Sequence, residues 1–144
     1  MPNNAGGALA AKVDHLFTVV RPATGGEYSF DAVAAAIRTR GGPTISATYL
    51  WQLRKGLRDN PTKRHLEALA DFFGVPAAYF FDDVEAERID AELALLSALR
   101  DVPVRQIALR AQGLSAKSLE AIADMVDRVR ELEGLPDPPA DGNA

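Results

Sequence analysis

Seven basic side chains fall between Arg38 and Leu66: Arg38, Arg40, Arg54, Lys55, Arg58, Lys63 and Arg64. They face one acid in that interval, Asp59. Among them stand Ser46, Thr48 and Gln52, whose hydroxyls and amide can each donate and accept hydrogen bonds. Clustered cations are what phosphate binding needs. Small and hydrogen-bonding side chains near the front of a helix, with basic ones behind, suit a helix laid into a DNA major groove. An ordinary amphipathic helix in an all-α protein is the plainer alternative for this stretch.

The stretch 45–56 has the signals of a short helix. Ser46 can cap its start and Gly56 can stop it. Leu50 and Leu53 share one face and can pack on a core, while Ala47, Thr48, Trp51 and Gln52 fall on other faces. Arg54 and Lys55 sit in the last turn, where a helix favours cations.

Other elements must hold that helix. A first helix is expected from Ala8 to Val20, with Leu9, Val13, Leu16, Phe17 and Val20 in register. Ser29 caps a second, carrying Phe30, Val33, Ala34 and Ile37 and ending near Arg40. Thr62 caps a fourth through Leu66, Leu69, Ala70, Phe72 and Phe73, and Gly74 ends it. Pro76 opens a short fifth helix to Phe81, whose aromatics Tyr79, Phe80 and Phe81 are expected to close the core.

Asp82-Asp83 marks a change in composition. Residues 1–81 hold nine Lys/Arg and six Asp/Glu, net +3; residues 82–144 hold seven and fourteen, net −7. The chain total of −4 therefore hides a basic N-terminal part. A sixth helix is expected from Val84 to Leu99 with the stripe Ile89, Leu93, Leu96 and Leu99, and a seventh from Val102 to Gln112. The eighth, capped by Ser115, carries Leu119, Ile122, Val126, Val129 and Leu132. Three amphipathic helices of this length bury little surface alone. Their stripes can pack on the N-terminal domain or on the same segment of a second copy of the chain, and the second copy is the expected partner, through Leu93, Leu96, Leu99, Leu119, Ile122, Val126 and Val129.

The fold class expected is all-α: an N-terminal five-helix helix-turn-helix domain followed by a helical C-terminal dimerisation segment. The expected organisation is a disordered N-terminus (1–7), a DNA-binding domain (8–82), a helical dimerisation segment (83–134) and a disordered tail (135–144). The 144 residues contain no cysteine, no secretory leader is visible at the N-terminus and no run of about 20 apolar residues occurs. A cytoplasmic protein without a membrane span is expected.

Several motifs occur together in order: Ile45-Ser-x-x-Tyr-Leu-x-x-Leu-Arg-x-Gly56, then Asn60-Pro-Thr opening a helix, then Phe72-Phe-Gly-Val-Pro76. With Ser46, Tyr49, Leu50, Leu53, Gly56, Leu66, Leu69 and Ala70 they resemble the lambda-repressor/Cro-type (XRE) helix-turn-helix regulators over residues 8–82. The Ser-Ala-x-Tyr-Leu-x-Gln-Leu-Arg-x-Gly helix and the Ala-Ala-Tyr-Phe segment are closer to the actinobacterial nucleoid-associated ESX-1 secretion-regulator subfamily. That likeness extends more loosely through 89–134. It implies a dimeric transcription regulator on double-stranded DNA in the nucleoid.

Mapped onto the family pattern, Ala47, Thr48, Trp51 and Gln52 face the bases. Gln can pair bidentately with adenine, and Thr can touch a thymine methyl, so a lean to A·T sites is expected. Phosphates are assigned to Ser29, Arg38, Arg40, Ser46, Arg54, Lys55, Arg58, Thr62, Lys63 and Arg64, the hydroxyl positions acting through helix N-termini. The segment 38–44 makes the turn before the reading helix longer than the family's, so a changed crossing angle is expected.

An enzyme would need convergent titratable groups. The two histidines, His15 and His65, lie on different expected helices, and there is no metal-ligand spacing and no phosphate-binding glycine loop. No catalysis, cofactor or metal is expected. The stronger rival is a protein-interaction adaptor, an anti-regulator or sigma-factor partner, that keeps the fold without DNA binding.

Overall fold

The computed structural model describes residues 5–138, and they form helices joined by turns, with no strand among them. In chain order these are α1 (Ala5–Val19), α2 (Phe30–Thr39), α3 (Ala47–Lys55), α4 (Lys63–Phe73), a 3-10 helix (Ala77–Phe80), α5 (Asp83–Ala98), α6 (Val102–Ala111) and α7 (Ala116–Leu132). None is long and apolar enough to cross a membrane. Residues 1–4 of the expected N-terminal arm and 139–144 of the expected tail lie outside the described residues.

Local chemistry explains where the helices begin. Ser29, Ser46, Thr62, Asp82, Asp101 and Ser115 each accept a hydrogen bond from a first-turn amide of the helix that follows. Such caps satisfy amides that have no partner inside the helix. Gly56 and Gly74 end α3 and α4 in the left-handed conformation, φ 77° and 74°.

The core is one cluster. Val13, Leu16 and Phe17 of α1 meet Val33 and Ile37 of α2, Leu50 and Leu53 of α3, and Leu69 and Phe73 of α4. Phe17 stands edge-on to both Phe30 and Phe73, with centroids 5.1 Å apart. The core continues past the composition change at 82–83, since Ala86 and Ile89 of α5 are buried in it and Leu93 packs against it. Tyr79 donates to Asp90 Oδ1 at 2.7 Å. Burial, then that carboxylate, pushes its hydroxyl pKa far above the ordinary value. Lys12 pairs with Asp83 at 3.0 Å. His15 Nε2 lies 3.3 Å from Asp90 without the alignment of a hydrogen bond.

Three expectations are corrected. Helix α1 starts at Ala5, not Ala8. The glycines at positions 6 and 7 lie in its first turn, where amides have no helical partner. The fifth element is a single 3-10 turn rather than an α-helix. Of its three aromatics Tyr79 and Phe80 enter the core, whereas Phe81 is 60% exposed.

The long turn between α2 and α3 is held at both ends. Gly41 takes φ 78° and the Gly42 amide returns to Ile37 O at 3.0 Å. A Cβ on Gly42 would lie 2.9 Å from Ile37 Cγ2 and 3.0 Å from Ile37 O. Three residues on, Ile45 is buried in the core. These contacts fix the path by which the chain enters α3.

Candidate nucleic-acid interface

Successive helical residues advance by about 100° around the axis. Leu50 and Leu53 therefore define the inner face of α3, and both are fully buried. Thr48, Trp51, Gln52 and Lys55 fall opposite. Thr48, Trp51 and Lys55 are exposed and Gln52 is half-buried, as is Ala47 at the edge of this face. Trp51 shows 41% of its surface to solvent.

The basic residues separate into two sets. Arg54 follows Leu50 by four and so lies beside the inner face. Its Nε donates to Asp14 and its Nη1 to Glu27, both at 2.8 Å, and the guanidinium lies 5.1 Å from the Phe17 ring centre. Its side chain is 18% exposed. Burial opposes the charge, but the hydrogen bonds that Arg54 donates to Glu27 and Asp14, with the attraction of those carboxylates, outweigh it and keep the pKa raised. Arg40 lies on the C-terminal end of α4, donating to Asp71 O at 3.3 Å and standing 3.5 Å from the Asp71 carboxylate and 5.6 Å from the Phe72 ring centre. The Arg54 guanidinium is thus occupied within the fold, while that of Arg40 stays half exposed.

The second set is open. Arg38, Lys55, Arg58, Lys63 and Arg64 are exposed, and only Lys63 has a carboxylate partner among the described residues, Glu67 at 3.7 Å. They stand on α3 and on the elements next to it in the chain: Arg38 at the end of α2, Lys55 on α3 itself, Arg58 in the following turn, Lys63 and Arg64 in the first turn of α4. The hydroxyls of Ser29, Ser46 and Thr62 are committed as caps, accepting from Ala32, Tyr49 and His65 amides at 3.0, 3.0 and 3.2 Å. The remaining first-turn amides of these helices have no helical acceptor, and each terminus carries partial positive charge.

Sequence reasoning did not find the contacts that hold Gln52. Arg58 Nε donates to Gln52 Oε1 at 2.9 Å, and its guanidinium sits 5.5 Å from the Tyr49 ring centre. The Tyr49 hydroxyl lies 3.0 Å from His65 Nδ1. Burial raises the Tyr49 pKa, with Arg58 pulling it back, so the group remains a neutral hydroxyl. The i to i+6 spacing of Gln52 and Arg58 is not a helical pair, and only the turn at Gly56 brings them together.

In the C-terminal part, α6 and α7 contain no buried residue. Leu96, Leu119, Val126 and Val129 are 60, 41, 48 and 53% exposed, while Leu99 and Ile122 are half-buried. An apolar groove of about 620 Å³ runs between Leu99, Ala108, Leu109 and Leu119. Leu93, by contrast, packs against the N-terminal core.

No protein-family model matches the chain. Two curated relatives, both the nucleoid-associated protein EspR, come from Mycobacterium tuberculosis strains CDC 1551 / Oshkosh and ATCC 25618 / H37Rv. Each is 43% identical over 127 residues, 88% of this chain and 96% of the relative. At that identity and coverage the chain belongs to the EspR family of nucleoid-associated proteins.

Proposed function

We infer that the chain is a nucleoid-associated, DNA-binding transcription regulator of helix-turn-helix (XRE) type, working as a homodimer in the cytoplasm without a catalytic role. The observation that carries this reading is the outer face of α3, with Thr48, Trp51 and Gln52 opposite the buried Leu50 and Leu53, Ala47 at its edge, and exposed cations on α3 and the elements flanking it. α2 and α3 act as the helix-turn-helix pair, with α3 in the major groove. Arg38, Lys55, Arg58, Lys63 and Arg64 hold phosphates, together with the amides at the starts of α2, α3 and α4, capped by Ser29, Ser46 and Thr62. Arg54 is reassigned to holding the fold, because two carboxylates at 2.8 Å already occupy it, whereas half-exposed Arg40 stays a phosphate contact.

The exposed apolar faces of α6 and α7 are taken to meet their counterparts in a second copy, through Leu96, Leu99, Leu119, Ile122, Val126 and Val129. The protein-interaction adaptor is the rival reading. An adaptor has no use for five exposed cations on and beside one helix, four of them without a carboxylate partner among the described residues, so the basic bias favours DNA.

The test is selection from randomised duplexes by the wild-type chain and by Gln52→Ala. Replacing Gln52 should cost about 1–3 kcal/mol at one base-pair position and relax preference there alone. An equal loss of affinity on every sequence would remove α3 from the role of base reader.

A further inference from the structure

The Gln52 side chain is not free to choose how it meets a base. Gly56, in the left-handed conformation, folds the chain back so that the Leu57 and Arg58 amides both reach Gln52 O, at 2.9 and 3.3 Å. Arg58 is thereby returned along α3, where its guanidinium lies on the Tyr49 ring and its Nε donates to Gln52 Oε1. Tyr49 is in turn held from α4 by the edge-on ring of His65, centroids 5.1 Å apart. The chain of contacts therefore runs from α4 through Tyr49 and Arg58 to Gln52.

An arginine Nε–H can only donate, so it selects the amide oxygen of Gln52 and turns the NH2 away. The geometry points to Arg58 as a specificity-determining positioning residue that makes Gln52 a hydrogen-bond donor toward DNA, favouring guanine over adenine. This rests on α3 being the base-reading helix. Bidentate pairing with adenine needs the amide oxygen to accept from N6 while the NH2 donates to N7, and here one of that oxygen's two lone pairs is taken by Arg58, which narrows the directions from which N6 can approach. Guanine offers two acceptors, N7 and O6, on its major-groove edge, and the NH2 of Gln52, on the side away from Arg58, can serve either. The lean toward A·T pairs expected from a free glutamine is thus reversed at this one position. Arg58 keeps its remaining N–H groups for a neighbouring phosphate.

The experiment is base selection from a randomised duplex by the full-length wild type, Arg58→Met, Gln52→Ala and the double variant. Loss of a phosphate contact lowers affinity on all sequences alike, so the readout is the guanine-to-adenine ratio at the position that Gln52→Ala relaxes. The wild type should prefer guanine there. Arg58→Met should reduce that preference by about fivefold or more, and should have no effect on it once Gln52 is alanine. Circular dichroism checks that every variant is folded, and Arg58→Leu replaces Arg58→Met if the latter is not. A wild-type preference for adenine, or a ratio unchanged by Arg58 substitution, overturns the positioning role while leaving α3 as reader. If Gln52→Ala changes no position, the reading of α3 fails and the inference falls with it.

Discussion

At the scale of single residues, charge alone is a poor guide to role. Arg54 and Lys55 are neighbours in the last turn of α3, and their position along the helix gives both the same dipole argument. Their position around the helix separates them. Arg54 is four residues after buried Leu50 and is drawn in against Asp14, Glu27 and Phe17, whereas Lys55 faces water. Arg54→Met keeps the aliphatic packing but loses two charge-assisted hydrogen bonds and a cation–π contact. Asp14 and Glu27 are exposed enough to be rehydrated, so the cost should be about 1–2 kcal/mol. Thermal denaturation should show a lowered Tm, and DNA binding well below that Tm should keep its salt dependence. A lost salt increment with unchanged Tm would return Arg54 to the phosphate contacts. The helical spacing already contained this distinction. The acids that capture Arg54 were not legible, because Asp14 and Glu27 are 40 and 27 residues away along the chain.

At the scale of elements, the helices were readable because each start from α2 onward except that of the 3-10 turn carries a capping side chain, and α3 and α4 stop on left-handed glycines. The stripe of α5 was readable too, but not how it is shared. Ile89 and Leu93 turn to the N-terminal core, and Leu96 remains exposed. Periodicity marks a face that will be covered without saying by what. The long α2–α3 turn was visible as an insertion, but the return of Gly42 to Ile37 and the burial of Ile45 depend on tertiary contact. The apolar faces of α6 and α7 supply the prediction at this scale. Val126→Asp places a carboxylate on a surface 48% exposed in the single chain, so the protomer should fold normally. Sedimentation should give the mass of two chains for the wild type and of one for the variant. Two chains for both would move the contact elsewhere, and one for both would remove the homodimer.

Across the whole molecule, two opposite charge distributions share one chain. The net −4 describes neither. The basic part presents α3 and its cations, and the acidic part begins with a helix packed into the same core, so α5 joins the body that carries α3 through Ala86 and Ile89. The composition change at 82–83 was plain in the sequence, but burial is set by apolar residues and crosses it unhindered. If α6 and α7 pair with a second copy, two reading heads are tied together, and each adds its own phosphate contacts to the total. If the cations on and beside α3 bind phosphate, affinity for a random duplex must fall with salt, and equilibrium binding over a range of salt measures that. Five cations neutralising phosphate predict a slope of log K against log salt of about −4 or steeper for each engaged head. Removing Lys55 and Arg64 together should reduce its steepness by about two units. A flat slope, or no binding at the lowest salt, would contradict the account.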